Sequence, residues 1–273
     1  SFFDLGGQSL IAVKLFKCIV EELDTKLPLA SLFEFPTIRQ LAKAIDGDEE
    51  NAAWPSLVKI KGGSNGKPPL FLVHGAGGNV LLYQALAKRL PGELALYGLQ
   101  SQGLDGSTKP LATIEDMAER YLSEIREIQP LGPYHLGGYC LGGTIAYEMA
   151  QRLVADGEEV AFVAMLDTYN FSKALKVSPT SFIIQKLNFH LANLTKIHPK
   201  NLPGYFKEKF RLGKDGEFAN LFSSRPGATA EGVTRAQDGA EANVQAINDD
   251  AVEAYIPKPF PGRVVQYKPQ ANY

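Results

Sequence analysis

A cysteine between paired glycines is the residue of this chain best placed to do chemistry. It is Cys140, in the sequence Gly-Tyr-Cys-Leu-Gly over 138–142, which has the form Gly-x-nucleophile-x-Gly. Such a sharp strand-to-helix turn strains the backbone and exposes the nucleophile at a helix N-terminus, where N–H groups favour an anion. The alternative is a glycine-rich turn around a buried thiol, because free cysteine is among the most buried residue types.

A second chemical feature is the glycine-rich run from His74 to Asn79, which ends an apolar stretch over 69–73. A continuous apolar stretch of this length predicts a buried strand of a parallel sheet. In α/β-hydrolases a loop at this place donates one N–H to the developing oxyanion, and the residue after the nucleophile donates the other. We therefore assign the oxyanion hole to the backbone N–H groups of Ala76 and Leu141. His74 is interpreted as a residue that shapes the loop.

A third candidate is Asp167, which follows the apolar run Val160–Leu166. An acid at the carboxyl end of the strand after the nucleophile helix is suited to orient a catalytic histidine. A lone aspartate would be interpreted as a turn cap, but the cysteine motif one strand–helix unit earlier favours catalysis. The histidine must follow Asp167 in chain order. The candidates His190 and His198 each have an ordinary explanation as a packed or surface residue, so neither is assigned.

The elements that must position these residues alternate between strand and helix. Strands are predicted over 69–73, 94–99, 134–136, 160–166 and 263–267, and helices over 80–90, 113–129, the segment after Cys140, and 239–255, with Thr113 as a helix cap. This alternation predicts a parallel sheet with helices on both faces. The long stretch from 169 to about 259 contains helical patches and is predicted to be a lid over the site.

The N-terminal segment carries a separate signal. Ser9 follows an Asp-Leu-Gly-Gly turn and begins an amphipathic helix, and a last helix is predicted over Ile38–Ile45. A modifying enzyme can reach such a hydroxyl, and a helix N-terminus favours an attached phosphate. For Gly-Gly-x-Ser alone, an ordinary serine at a helix start is the alternative.

Both segments resemble parts of one family of assembly-line enzymes. The first segment, with Leu-Phe-Glu-Phe-Pro-Thr-Ile before its last helix, resembles the carrier domain of nonribosomal peptide and polyketide synthases. The remainder resembles their terminal thioesterase in His-Gly-Ala-Gly-Gly, Gly-Gly-Tyr-Cys-Leu-Gly-Gly and Leu-Asp-Thr. The resemblance implies an α/β fold, namely an α/β-hydrolase thioesterase core with a helical lid, preceded by a small, partial helical carrier domain. It divides the chain into a carrier over 1–46, a linker over 47–67 and a thioesterase over 68–273.

The resemblance also implies roles for single residues. Ser9 is implied as the attachment site of covalent phosphopantetheine, Cys140 as the nucleophile and Asp167 as the acid. The implied function is release of an acyl or peptidyl chain from the carrier, by hydrolysis or cyclisation through acyl-Cys140, at the end of a secondary-metabolite assembly line. The implied partners are upstream synthase domains, a phosphopantetheinyl transferase and the acyl or peptidyl thioester.

Two departures from the family pattern bear on activity. The family usually has serine where this chain has Cys140, and it has a catalytic histidine on a loop beyond the last strands. We therefore expect a fragment that is truncated at both ends, lacks the first carrier helix and the histidine, and is inactive in release without it. A non-catalytic carrier or docking module and an unrelated α/β-hydrolase esterase stay open as alternatives.

Composition limits the class of protein. The 273 residues suffice for one hydrolase-sized domain and a small one, and 28 basic against 30 acidic side chains give a net charge of −2. That balance indicates no affinity for nucleic acid or anionic membranes, and no run is apolar and long enough to span a bilayer. Two distant cysteines form neither a zinc motif nor a disulfide framework, which favours a reducing cytoplasm. Cys18 lies among apolar helix residues and is interpreted as structural.

Overall fold

Helices make up the first part of the chain, whereas strands and helices alternate in the rest. The computed structural model describes residues 1–25, 27–46, 55–64, 66–104, 106, 108–170 and 237–268. They belong to a unit formed by residues 1–172 and 233–273, and residues 173–232, which form a second unit, lie outside the described residues. Residues 171–236 of the predicted lid, with both candidate histidines, His190 and His198, therefore lie outside them. Residues 237–259 of that stretch are described, and several of their buried side chains belong to the main core, so this part is not a lid.

The N-terminal part contains three helices: α1 over Ser9–Leu23, α2 over Ser31–Glu34 and α3 over Ile38–Asp46. Buried side chains spaced four and three residues apart place one face of α1 in a small core, whose members are Ala12, Phe16, Ile19, Leu27, Leu32, Leu41 and Leu81. Cys18 lies off that face and is exposed, so its interpretation as a packed structural residue is wrong.

The sheet has six strands in the described residues: β1 over Leu57–Lys61, β2 over Leu70–Val73, β3 over Leu96–Leu99, β4 over Tyr134–Tyr139, β5 over Val160–Leu166 and β6 over Val264–Tyr267. Their order is β1-β3-β2-β4-β5-β6. β1 runs antiparallel to β3, and all other neighbours are parallel. Each β2 side chain is buried, as expected for an apolar strand covered on both faces.

Helices connect the parallel strands and cover the sheet. They are a 3-10 turn over Leu81–Tyr83, α4 over Gln84–Ala87, α5 over Ile114–Ile128, α6 over Leu141–Ala155 and α7 over Gln237–Ala254. The hydroxyl oxygen of Thr113 accepts a hydrogen bond from the Asp116 N–H at 3.1 Å, which confirms the predicted helix cap. The main core lies between the sheet and α5 and α6, and buried residues of α7, which packs against α6, complete it.

Two elements differ from the sequence prediction. β1 lies inside the stretch predicted as linker and adds an antiparallel edge to a sheet predicted to be parallel. Its alternation of apolar residues and lysines is short and surrounded by polar sequence, so it gave little periodic signal. The helix predicted over 80–90 is instead a 3-10 turn followed by α4. Leu81 and Tyr83 are both buried, and an α-helix would direct residues two apart towards different sides.

The N-terminal helices contact the sheet domain beside this 3-10 turn. Leu81 completes the small N-terminal core, and Phe33 packs against both that core and the cluster around Tyr83. The Lys88 ammonium donates a hydrogen bond to the Phe3 carbonyl at 3.2 Å. In the described parts of the chain, no helix combines the length and the apolar composition needed to cross a membrane.

Candidate functional site

Cys140 is the single residue between β4 and α6, and its backbone has φ 54° and ψ −116°. A positive φ is uncommon for a residue other than glycine and marks a strained turn, as the nucleophile motif predicts. The Cys140 N–H donates a hydrogen bond to the Leu166 carbonyl at 2.9 Å, which ties the turn to the end of β5. The cysteine is therefore held at the carboxyl edge of two neighbouring parallel strands.

Backbone contact with β2 explains why the cysteine motif ends in glycine. A Cβ added to Gly142 would collide with the carbonyl oxygens of Val73 and His74. The first turn of α6 therefore lies directly against the end of β2, where the glycine-rich loop begins. This contact between α6 and β2 holds the Cys140 turn and the glycine-rich loop side by side.

A tyrosine hydroxyl joins the ends of β2 and β4. Tyr83 is 2% exposed, and its hydroxyl donates to the Val73 carbonyl and accepts from the Tyr139 N–H, the latter at 2.9 Å. Burial raises the pKa of this phenol, so it is a neutral donor at physiological pH. Tyr83 was missed in the sequence because an aromatic residue in a helical pattern is indistinguishable from an ordinary core residue.

The predicted oxyanion donors occupy the two loops that follow adjacent strands. Ala76 lies in the loop after β2, which closes with a hydrogen bond from the Gly78 N–H to the Gly75 carbonyl at 2.9 Å. Leu141 is the first residue of α6. The amide Nδ2 of Asn248, on α7, donates to the Ala76 carbonyl at 2.8 Å. Asn248 was also missed; a polar residue on an otherwise apolar helix face was the available signal.

The Cys140 thiol is in an environment that opposes its ionisation. Burial raises its pKa, the hydrogen bond from the Leu141 N–H lowers it, and the negative charges of Asp167 and Asp249 raise it further. The net direction is upward. The helix N-terminus alone is therefore not enough to favour the thiolate, and an activating base is needed for reaction at neutral pH.

Asp167 follows β5 with φ 49°, and its N–H donates to the Tyr267 carbonyl at 2.8 Å. The nearby Asp167 carboxylate raises the pKa of the Tyr169 phenol, chiefly because the neutral phenol can donate to it. The Oδ1 oxygen of Asp167 is buried and has no hydrogen-bond partner among the described residues. An unpaired buried carboxylate oxygen is suited to accept the N–H of an imidazole.

His74 is fully buried at the start of the glycine-rich loop. Its Nδ1 contacts the Gly75 carbonyl at 2.6 Å and its Nε2 contacts the Tyr121 hydroxyl at 2.8 Å. Because a carbonyl only accepts, Nδ1 carries the proton and Nε2 accepts from the tyrosine. Burial lowers the pKa of His74 to about 4. These contacts fit the predicted role of shaping the loop, and they occupy both nitrogens that a base would need.

Ser9 is the first residue of α1, and Gln8 before it makes no side-chain cap to the helix. Asp4, Leu5 and Gly6 are exposed, and Leu5 is 90% exposed. A hydroxyl residue that begins a helix after an exposed turn fits the attachment of a phosphate ester. Among the described residues, no group of three or more His, Cys, Asp or Glu side chains is placed to hold a metal ion.

Both parts of the chain match known protein families. Residues 68–179 match the Thioesterase domain family, and residues 1–45 match the Phosphopantetheine attachment site family. Over 179 residues the chain is 41% identical to a dimodular nonribosomal peptide synthase of Bacillus subtilis (strain 168), covering 65% of this chain and 8% of that protein. It is 40% identical over 182 residues to malpibaldin synthetase of Mortierella alpina, covering 65% and 3%. The chain thus spans less than a tenth of the length of these relatives.

One solved structure covers nearly the whole chain. It is holo-AB3403, a four-domain nonribosomal peptide synthetase bound to AMP and glycine, which matches with a TM-score of 0.57 and 26% identity over 97% of this chain and 20% of that one. The matched region includes both the N-terminal helices and the sheet domain. The resemblance predicted from the motifs is therefore confirmed, as is the order of the two parts.

Proposed function

Since the chain combines a phosphopantetheine attachment domain over 1–45 with an α/β-hydrolase-like thioesterase domain over 68–179, we propose that it releases an acyl or peptidyl group from its own carrier at the end of an assembly line. Ser9 is the attachment site and Cys140 the nucleophile. The observation that carries the proposal is the strained Cys140 turn, held against the glycine-rich loop by the contact at Gly142. Upstream synthase domains and a phosphopantetheinyl transferase are the proposed partners.

Phosphopantetheine on Ser9 supplies a thiol that presents the acyl or peptidyl group as a thioester. The Cys140 sulfur attacks the thioester carbonyl, and the N–H groups of Ala76 and Leu141 hold the resulting oxyanion. A donor of this kind is typically worth about 3 kcal/mol. As the oxyanion collapses, the carbon–sulfur bond to the carrier breaks and the new bond to Cys140 stays. The proton lost by Cys140 passes through a base to the departing sulfur, which leaves as the free thiol of the carrier.

Release then completes the cycle. Water attacks acyl-Cys140 and yields an acid, or a nucleophile within the chain attacks and yields a ring. Because one thioester replaces another, transfer to cysteine is close to thermoneutral, whereas a serine ester would be less reactive. We propose that Cys140 keeps the acyl group activated, which suits attack by an amine or ring closure.

Asp167 is the proposed acid that orients the base, a histidine that follows it in chain order. The unpaired Oδ1 of Asp167 supports this role. No histidine is assigned, since His190 and His198 lie outside the described residues. The two cysteines, distant in sequence, fit a reducing cytoplasmic location.

The test is to follow an acyl group from Ser9 to Cys140 in the full chain. The protein is loaded with a phosphopantetheinyl transferase and an acyl-coenzyme A, at neutral and at alkaline pH, and its peptides are mapped by mass spectrometry over time. We expect the acyl group first on the Ser9 peptide and then on the Cys140 peptide, faster at alkaline pH. Cys140→Ala retains the group at Ser9, whereas Cys18→Ala, which removes the other cysteine, behaves like the unsubstituted chain.

Two outcomes would overturn the proposal. An acyl group that stays on Ser9 in the unsubstituted chain as long as in Cys140→Ala at both pH values would indicate a non-catalytic carrier module. Equal labelling of Cys140 in Ser9→Ala would indicate an esterase that does not use its carrier.

A further inference from the structure

Asn248 places a buried amide on a helix face that is otherwise apolar. The residue is fully buried in α7, and Val244, Ala251 and Val252 on the same side of the helix are buried hydrophobic residues. Burial of an amide costs free energy unless its polar atoms are hydrogen-bonded. The residue at this position therefore requires an explanation other than packing.

The amide contacts the glycine-rich loop at one atom. Its Nδ2 donates to the Ala76 carbonyl at 2.8 Å, across 172 residues of chain. The assignment of nitrogen and oxygen follows from the acceptor, because a carbonyl cannot donate to an amide oxygen. Oδ1 is buried and has no hydrogen-bond partner among the described residues.

This unpaired oxygen argues against a purely stabilising role. One neutral hydrogen bond contributes about 1 kcal/mol, and an unsatisfied buried acceptor costs about 1–3 kcal/mol, so the amide gains little stability over an apolar residue. What the amide provides that leucine would not is a donor directed at the Ala76 carbonyl.

Val244, one turn before Asn248 on α7, also packs against the glycine-rich loop. A Cβ added to Gly78, which has φ 81°, would lie 2.8 Å from Cγ1 of Val244. Val244 and Asn248 are four residues apart and thus lie on one side of α7. Val244 packs against the loop backbone at Gly78, and Asn248 fixes the carbonyl two residues before it.

The direction of the Ala76 carbonyl matters for an oxyanion. With the carbonyl drawn towards α7, its partial negative charge is directed at a donor instead of at the reacting group. The bond also restrains rotation about Ala76, whose own N–H belongs to the adjacent peptide. Donors contribute most when they are already oriented before the charge develops.

We propose that Asn248 is a positioning residue that restrains rotation about Ala76 and so keeps the Ala76 N–H in the orientation required to bind the oxyanion formed at Cys140. This inference rests on the proposed function. It assigns to α7, which lies about a hundred residues after the nucleophile in the chain, a part in building the oxyanion hole.

The experiment compares two reactions of the same thiol in the full chain. A soluble acyl-pantetheine thioester acylates Cys140 through a tetrahedral oxyanion, whereas iodoacetamide alkylates it by direct displacement without one. Both need the thiolate, so the ratio of the two rate constants at one pH is independent of the thiol pKa. The variants are Asn248→Leu and Asn248→Asp, and the control is Asn243→Asp, an exposed asparagine of the same helix.

We expect both Asn248 substitutions to lower the acylation-to-alkylation ratio by about 10-fold or more, less than the 10²–10³ typical for loss of a donor itself. Asn248→Gln, which keeps an amide donor, restores part of the ratio, and Asn243→Asp leaves it unchanged. Alkylation at the unsubstituted rate verifies that the Cys140 turn is folded in each variant.

Three results would overturn the inference. An unchanged ratio in the Asn248 variants contradicts it directly. A parallel fall of both rate constants assigns Asn248 a structural role only. If the unsubstituted chain is alkylated but not acylated, the proposed function itself fails and the inference fails with it, so the two failures are distinguishable.

Discussion

Two helices of this molecule begin at, or directly after, a residue proposed to carry the acyl group, and their starts are built differently. At α1, Gln8 precedes Ser9 in an extended conformation without a side-chain cap, and a Cβ added to Gly6 would meet nothing within 4 Å. At α6, Cys140 is held at positive φ, and Gly142 packs against the backbone of β2. The first start is open at Gly6, although Gly7 packs against Phe2, and the second is enclosed by the backbone of the sheet.

This difference matches the role proposed for each residue. A residue that a separate enzyme modifies needs an accessible backbone around it. A nucleophile needs a fixed distance and direction to the groups that stabilise its transition state, because small displacements cost large factors in rate. Substitutions around Cys140 should therefore have larger effects than equivalent substitutions around Ser9.

The largest expected contrast is between two glycine-to-alanine substitutions. Gly142→Ala forces a methyl group onto the carbonyl oxygens of Val73 and His74, and overpacking against backbone should cost about 3 kcal/mol or more of unfolding free energy. Gly6→Ala has open space but φ 85°, so it should cost about 1 kcal/mol. Urea unfolding measures both. Equal costs would remove the contrast between the two helix starts.

Acid should destabilise the half of the molecule that contains Cys140. Burial lowers the pKa of His74 to about 4, against 6.5 in an unfolded chain. Below pH 6.5 the unfolded state therefore binds a proton that the folded state does not, and stability falls until about pH 4. At about 1.4 kcal/mol per pH unit, the loss reaches about 3 kcal/mol. Residues 1–46 contain no histidine.

The measurement is the unfolding free energy of His74→Gln across this pH range, with His135→Gln as the matched control. The His74 variant should lose less stability on acidification than the control. The same slope in both variants would show that protonation of His74 is not the cause.

The smallest contrast concerns helix caps. Thr113→Ala removes the hydrogen bond that the side chain accepts from the Asp116 N–H and should cost about 1 kcal/mol. Gln8→Ala removes no cap from α1 and should change the unfolding free energy by less than about 0.5 kcal/mol. Unfolding titrations of both variants decide this, and a larger cost at Gln8 would mean that the start of α1 is held more firmly than its contacts indicate.

Features held by local sequence signals were predicted from the sequence, whereas features held by contacts between distant residues were not. β5 was predicted with its observed bounds, Val160–Leu166, and the Cys140 turn was placed between strand and helix, because apolar runs and glycine spacing are local signals. The strand Leu57–Lys61 was missed because its pairing with β3 is a tertiary contact. Tyr83 and Asn248 were missed for a related reason: their partners, Tyr139 and Ala76, are distant in sequence.

The most direct measurement is a crystal structure of the protein with a peptide aldehyde bound to Cys140, since the hemithioacetal oxygen stands where the oxyanion forms. We expect this oxygen to lie about 2.7–3.1 Å from the backbone nitrogens of both Ala76 and Leu141. We also expect the Ala76 carbonyl to remain bonded to Asn248. An oxygen directed to solvent, or an Ala76 carbonyl turned towards it, would contradict the proposed oxyanion hole.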